Sequence, residues 1–233
     1  MIISHKYRFI FVKTVKTAGT SIEVYLSPLC GDDDIFTLIV PPVEGHEPRN
    51  HAGLFNPLPE FVGSFWQGKG PLIEGVNTFK NLLRRKRYFP HMAAWKARCR
   101  TDQRIWNGYY KFCVERNPWD KTLSHFHMLK QRMGTDMTLD DYLANGTYCL
   151  NYPLYADKQG LCVDRVLRYE RLNDELGEVF SQLGIPYSGS LDVNAKAGYR
   201  QDRTPYRDVL TQSQQDVIAS IYRREIDMHG FEY

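Results

Sequence analysis

An aromatic and β-branched run over residues 7–12 leads through a short loop into a run with helical spacing over residues 21–26. The same order recurs at residues 109–114, which precede a helix-like run over residues 117–130. Repeated strand–turn–helix units are typical of α/β domains, in which ligands bind beyond the carboxyl ends of parallel strands. The pattern therefore predicts an α/β fold whose central, mainly parallel sheet is flanked by helices.

The rest of the chain continues this alternation, with one exception. Further predicted elements are a strand over residues 35–40, helices beginning near 91 and 138, a buried strand over 162–169, and helices over 173–183 and 211–228. The segment from about 41 to 80 is dense in Gly, Pro and aromatic residues, which predicts an irregular lid or acceptor-binding insertion. Phe65 and Trp66 could stack on a sugar or aromatic ring there, or could instead fill the core.

Length and composition limit the classes of protein. A chain of 233 residues with 42% hydrophobic and 24% charged residues is ordinary for one globular domain. No stretch approaches the ~20 apolar residues of a membrane helix, and no secretory leader precedes the first strand, so we expect a cytoplasmic protein without a transmembrane segment. A net charge of +3 does not indicate nucleic-acid binding.

Five cysteines are widely spaced and form no C-x-x-C pair. This spacing favours neither a disulfide framework nor a zinc site, and no other cluster has the spacing of metal ligands. Residues 84–87 form a basic run, which is typical of a solvated helix face or of a region near an anionic ligand. The sequence predicts reduced, part-buried thiols and no metal.

The loop that follows the first predicted strand contains Lys16, Gly19, Thr20 and Ser21. A helix N-terminus has unpaired N–H groups and the positive end of the helix dipole, so such a loop can hold phosphate or sulfate. Lys16 would add a positive charge, and Gly19 would allow close approach of the backbone. The Walker A pattern is absent because the lysine precedes the glycine. An anion-binding loop and a plain capped turn are both compatible with these residues.

A second strand–turn–helix unit carries Arg116 at the end of its strand and Ser124 about two helical turns later. An arginine that leaves a strand end can grip a phosphate with its forked guanidinium. The alternative is a structural ion pair of Arg116 with Asp120 or Glu170.

Together these segments resemble the sulfotransferase superfamily, and most closely its carbohydrate branch, which includes heparan sulfate 2-O-sulfotransferase and bacterial relatives. Residues 16–21 (KTAGTS) resemble that family's 5'-phosphosulfate loop. Residues 116–120 (RNPWD) with Ser124 resemble its 3'-phosphate motif. Residues 168–172 (RYERL) and the tail 230–233 (GFEY) are weaker matches. The likeness extends from one end of the chain to the other.

Two departures accompany the resemblance. Val15 stands where the family often has proline, and residues 55–80 match no part of it. The resemblance implies one P-loop-like sulfotransferase domain over residues 1–233, with PAPS (3'-phosphoadenylyl sulfate) as donor, no metal, and an acceptor hydroxyl on a carbohydrate or other compound. A lipid-linked sugar or a small metabolite is also compatible with it.

The resemblance also implies roles for particular residues. The 5'-phosphate would be held by Lys16, Thr17, Ala18, Gly19, Thr20 and Ser21, and the 3'-phosphate by Arg116 and Ser124. Lys16 would also neutralise charge on the departing oxygen. In the related branch a histidine between the two motifs acts as the base, and His91 occupies that interval. The other candidates for the base are His51, Glu23, Glu44 and Glu47, and Lys196, Arg200 and Arg203 could reach the 3'-phosphate or an acidic acceptor.

Two other function classes stay open at the level of sequence. A P-loop-like nucleotide kinase is disfavoured by the misplaced lysine and by the lack of an obvious magnesium carboxylate. A non-catalytic module that binds nucleotides or sulfated glycans would need the same anion-binding loops but no base.

Overall fold

A five-stranded sheet lies at the centre of the fold. The computed structural model describes residues 1–68, 70–191 and 204–233, so Lys196, Arg200 and Arg203 lie outside the described residues. The strands in chain order are β1 (Ile2–Ser4), β2 (Phe9–Phe11), β3 (Ile35–Phe36), β4 (Tyr110–Glu115), β5 (Ala156–Asp157), β6 (Gly160–Leu161) and β7 (Arg165–Arg168). The central sheet has the order β3-β1-β2-β4-β7, and β5 and β6 form a separate pair.

The sheet is mixed, whereas the sequence pattern predicted a mainly parallel one. Strand β4 is parallel to both β2 and β7, but β1 is antiparallel to both β2 and β3. The difference arises because the N-terminal run forms a hairpin instead of one strand. The amides of His5 and Lys6 donate to Asp34 Oδ1 at 2.6 and 3.2 Å, and Arg8 adopts a left-handed φ of 57°. A turn this short can only join antiparallel strands.

Helices cover both faces of the sheet. They are α1 (Gly19–Leu26), α2 (Leu58–Trp66), α3 (Pro71–Leu83), α4 (Ala94–Arg100), α5 (Gln103–Gly108), α6 (Pro118–Met133), α7 (Leu139–Ala144), α8 (Tyr152–Tyr155), α9 (Leu172–Leu183), α10 (Tyr206–Val209), α11 (Gln212–Ile221) and α12 (Arg223–His229), and a 3-10 turn (Tyr169–Arg171) precedes α9. Within the described ranges, no helix is long and apolar enough to cross a lipid bilayer.

The helix predicted over residues 117–130 is α6, which extends three residues further, to Met133. Asn117 Oδ1 accepts a hydrogen bond from the amide of Trp119 at 3.1 Å, Pro118 occupies the first turn, and Gly134 ends the helix with a φ of 60°. These are the expected capping roles of Asn, Pro and Gly. The predicted helix over 211–228 is instead two helices, because α11 ends before Tyr222 and α12 begins after it.

The segment over residues 41–80 is irregular only up to residue 57, because from residue 58 it contains α2 and most of α3, which pack as a helical hairpin. Proline lies in the first turn of each helix, where the N–H group that it lacks would have had no acceptor within the helix. Gly75 permits close packing within the hairpin, because a Cβ there would lie 3.1 Å from the ring of Phe61. The Gly and Pro residues therefore mark helix starts and a helix crossing.

The buried core has two main layers, one on each face of the sheet. Phe9 and Phe11 of β2 face a cluster that includes Phe180 of α9, whereas Ile10 faces a cluster that includes Trp95 of α4. This alternation has the period of two that a strand covered on both faces requires. The carboxyl ends of β2, β4 and β7 are therefore left as the open edge where loops can form a site.

Candidate functional site

The two loops singled out in the sequence contact each other at the carboxyl edge of the sheet. Arg116, which follows β4, donates a hydrogen bond from Nη1 to the carbonyl oxygen of Lys16 at 3.2 Å. Strands β2 and β4 are parallel neighbours, so the loops that leave them lie side by side. Residues one hundred positions apart in the sequence therefore form one cluster.

The loop before α1 has a backbone suited to an anion. Lys16 and Ala18 have left-handed φ values of 63° and 59°. Ala18 is the N-cap residue of α1, and no side chain caps this helix. Left-handed residues beside right-handed ones turn successive N–H groups toward one concavity, and the first N–H groups of a helix have no acceptor within it. This conformation differs from a turn capped by a side chain.

The side chains of the loop before α1 differ in burial and in their hydrogen bonds. Thr17 is buried, and its hydroxyl shares a hydrogen bond of 2.7 Å with the hydroxyl of Thr14. Thr14 Oγ1 in turn donates to the carbonyl of Val114 at 2.5 Å. The hydroxyl of Thr17 therefore ties the loop to β4, and the group it could offer a ligand is its backbone N–H. Thr20 is half-buried and Ser21 is buried.

Lys13 lies against the loop and explains why residue 19 is glycine. A Cβ on Gly19 would lie 2.8 Å from Lys13 Cγ. The ammonium of Lys13 is 2.5 Å from Glu23 Oε2, and the amine of Met1 also contacts Glu23. Burial by itself raises the pKa of Glu23, but the charges of the Met1 amine and Lys13 lower it overall. Glu23 is thus an ionised anchor for Lys13, which argues against its role as the base.

His91 is joined to the start of the same loop. Its Nδ1 lies 3.1 Å from the carbonyl oxygen of Lys13. A carbonyl can only accept, so Nδ1 carries the proton and Nε2 of the neutral ring is left as an acceptor. Burial and the nearby Lys13 charge lower the pKa of His91 to about 4.

The rival bases lie elsewhere. Glu44 and Glu47 are exposed in the segment after β3. Burial lowers the pKa of His51, and its buried Nδ1 has no hydrogen-bond partner among the described residues. No hydrogen bond within those residues connects the His51 ring with the loop over residues 13–21.

Arg116 is mostly buried, with 12% of its side chain exposed, and it has a structural partner. Its Nε and Nη2 donate to Asp120 Oδ2 at 2.9 and 2.6 Å, and its guanidinium lies 4.2 Å from the centre of the Tyr169 ring. The ion pair with Asp120 that the sequence allowed is therefore present. Glu170 instead accepts the amide of Asn117 at 2.7 Å. Within the described part of the chain, three of the five guanidinium N–H groups form hydrogen bonds, and the other two have no acceptor there.

Ser124 is half-buried on α6, and no hydrogen bond within the described residues joins its hydroxyl to Arg116. Its neighbour on the helix, His125, donates or accepts a hydrogen bond of 2.9 Å with the hydroxyl of Tyr142. Burial and the positive charge of Lys16 lower the pKa of His125 to about 4.

Sequence reasoning missed a buried network beneath the loops. Glu115 pairs with Lys121 at 2.7 Å and accepts hydrogen bonds from Asn151 and Tyr155, both at 3.1 Å. Asn151 also bonds both the amide and the carbonyl of Val15, at 2.9 and 3.1 Å. The position of Glu115 next to Arg116 was the only feature of the sequence that could have indicated this network, because Asn151 belongs to no recognisable motif.

The comparisons with known proteins add one relative. No protein-family model and no solved structure matches the chain. An uncharacterized protein of Archaeoglobus fulgidus is 30% identical over 112 residues, which cover 46% of this chain and 93% of the archaeal protein. The chain therefore belongs to the same protein family as this archaeal protein.

Proposed function

We propose that this protein is a sulfotransferase that moves the sulfuryl group of PAPS to an acceptor hydroxyl, with a carbohydrate as the first candidate acceptor. The observation that carries the proposal is the contact between Arg116 and Lys16, which unites two loops suited to separate anionic groups. PAPS has anionic groups at its 5' and 3' ends, so it needs two such places. The resemblance of the two loop sequences to sulfotransferase motifs supports the same donor.

The groups present fit a bound nucleotide of this kind. The backbone N–H groups of residues 17–21 would hold the 5'-phosphate, because the helix start has no capping side chain and the loop is concave. The two remaining N–H groups of Arg116 and the hydroxyl of Ser124 would hold the 3'-phosphate. The ring of Tyr169, which stacks on Arg116, limits where the guanidinium can point.

PAPS supplies an activated sulfuryl group on a good leaving anion. His91 Nε2 takes the proton of the acceptor hydroxyl while the acceptor oxygen forms a bond to sulfur and the bond from sulfur to the 5'-phosphate oxygen breaks. Lys16 neutralises the charge that develops on that oxygen, which is where a fixed cation lowers the barrier most. The hydrogen bond of His91 to Lys13 orients the imidazole and keeps Nε2 unprotonated.

Isothermal titration tests the proposal. Metal-independent binding of adenosine 3',5'-bisphosphate is expected, and binding of Mg-ATP without it would contradict the proposal and favour a kinase. Transfer of radiolabelled sulfate from PAPS to a panel of sugars, glycolipids, phenols and peptides tests catalysis. Nucleotide binding with no transfer across the panel would favour a non-catalytic module. The proposal includes the cytoplasmic location predicted from the sequence.

A further inference from the structure

The hairpin of α2 and α3 exposes large apolar side chains on one side. We call this surface the hairpin face, and its most exposed members are Leu58, Phe65 and Trp66 of α2 and Leu72, Ile73, Phe79 and Leu83 of α3, with exposed fractions of 55 to 83%. Their spacing follows one side of each helix. An apolar stripe normally faces the protein core, so its outward orientation here needs an explanation.

The opposite side of the hairpin is held by buried polar contacts. Glu60 is fully buried and accepts hydrogen bonds from Arg100 at 2.5 and 2.9 Å and from Thr78 at 2.8 Å. Glu74 pairs with Lys96. These contacts bind the hairpin to α4, and they determine which side faces outward. The exposed apolar surface is therefore not the result of a loosely packed segment.

The charges around the hairpin face have one sign. Between residues 57 and 87 the sequence contains two acidic residues, Glu60 and Glu74, and both form the ion pairs just described. Lys80, Arg84 and Lys86 are exposed on and after α3. An apolar surface with Trp and Phe, a basic border and no exposed carboxylate is complementary to an anionic lipid surface.

We propose that the hairpin face inserts into the interface of an anionic lipid bilayer and holds the protein on the membrane surface. A second copy of the chain is a poorer partner, since pairing two such faces would leave the cations of both copies without counter-charges. The proposal goes beyond the sulfotransferase activity and does not depend on it.

Co-sedimentation with vesicles tests the proposal in the absence of nucleotide and acceptor. The protein is expected to bind vesicles of equal parts phosphatidylcholine and phosphatidylglycerol, and to bind pure phosphatidylcholine vesicles more weakly. The double variant Trp66→Ser with Ile73→Ser should bind at least about a hundredfold more weakly, because each side chain contributes more than the energy of a tenfold change. Met133→Ser is the matched control, because Met133 is 63% exposed on α6.

Tryptophan fluorescence gives a local readout. Trp66 is 76% exposed, whereas Trp95, Trp106 and Trp119 are at most 5% exposed. Vesicles should therefore shift the emission of Trp66 to shorter wavelength, and brominated lipids should quench it. The Trp66→Phe variant should bind vesicles and lose both signals.

Charge variants test the electrostatic part. Arg84→Gln with Lys86→Gln should weaken binding to the anionic vesicles, and added salt should weaken binding of the unaltered protein. Arg223→Gln on α12 is the control. The proposal is overturned if the protein binds no vesicles, if the hairpin variants bind as well as the unaltered protein, or if those variants convert a dimer into monomers without any vesicle binding.

Discussion

The guanidinium of Arg116 donates one hydrogen bond to the carbonyl oxygen of Lys16, at 3.2 Å, and two to Asp120. One side chain thereby connects both proposed phosphate sites and sets the distance between them. We expect Arg116→Lys to weaken binding of adenosine 3',5'-bisphosphate by about tenfold or more, because lysine keeps the charge but loses the fork.

Adenosine 5'-phosphate distinguishes the two sites in this variant, since it has no 3'-phosphate. Calorimetric titration should show its affinity changed much less by Arg116→Lys than the affinity of the bisphosphate. Equal losses for both ligands would mean that Arg116 acts only by supporting the Lys16 loop. Arg223→Lys, on the exposed side of α12, should affect neither ligand.

Lys16→Ala should lower kcat by about 10²–10³, which is the typical effect of removing one group that stabilises developing charge. Binding of adenosine 3',5'-bisphosphate should fall less, because the backbone N–H groups of the loop are retained. Lys130→Ala on α6 is a control for the loss of an exposed lysine. If the Lys16→Ala variant showed an unchanged rate at saturating PAPS, this result would contradict the proposed role of Lys16.

His91→Gln should abolish sulfate transfer while nucleotide binding persists, because glutamine cannot take a proton from the acceptor. In the unaltered protein, kcat/KM should fall only as the pH approaches 4, since the pKa of His91 in the free protein is lowered to about 4. The bound anionic donor favours the protonated form of the His91 ring and so raises its pKa. The fall of kcat on the acid side should therefore occur at a higher pH than the fall of kcat/KM. An active His91→Gln variant would move the role of base to another residue.

His91 and His125, whose pKa values are strongly lowered, should make the protein less stable in acid. His91 and His125 each have a folded pKa of about 4, below the ordinary value near 6.5. As the pH falls from 6.5 to 4, the unfolded chain binds protons that the folded chain does not, so the free energy of unfolding falls by about 3 kcal/mol per histidine. Below pH 4 this contribution levels off. Urea unfolding at several pH values measures it, and His125→Gln should reduce the slope.

Gly19→Ala should destabilise the fold by about 1–3 kcal/mol, the usual range for an overpacked site. The new Cβ would meet Lys13 Cγ at 2.8 Å, and the ion pair with Glu23 prevents Lys13 from moving aside. Gly31→Ala is the matched control, because its Cβ would have its nearest contact at 3.8 Å. Urea unfolding of the two variants should therefore separate them, and equal midpoints would contradict the close packing of Lys13 on the loop.

The unit of β4 and α6 could be predicted from sequence because its signals are local. Asn117, Pro118 and Gly134 each act through their own backbone conformation or a hydrogen bond two residues away. The contact of Arg116 with Asp120 was foreseeable for the same reason, since it spans one helical turn.

Other features depend on contacts that are distant in sequence. The network of Glu115 joins Asn151 and Tyr155, which are 36 and 40 residues away, and no local pattern encodes such a meeting. The hairpin of α2 and α3 was missed for a different reason. Glycine and proline were interpreted as breakers, although Pro71 starts a helix and Gly75 lies at a helix crossing.

The short connection between α3 and His91 links the outer hairpin to the centre of the proposed chemistry. Leu83 ends α3, and His91 follows eight residues later. Eight residues extend at most about 28 Å, so the Cα atom of His91 cannot be farther than that from the Cα atom of Leu83 at the end of the hairpin face. If the acceptor is anchored in a bilayer beneath the hairpin face, its hydroxyl would therefore have to lie within about this distance of the lipid surface. This geometry favours a short headgroup over a long polysaccharide chain as the acceptor.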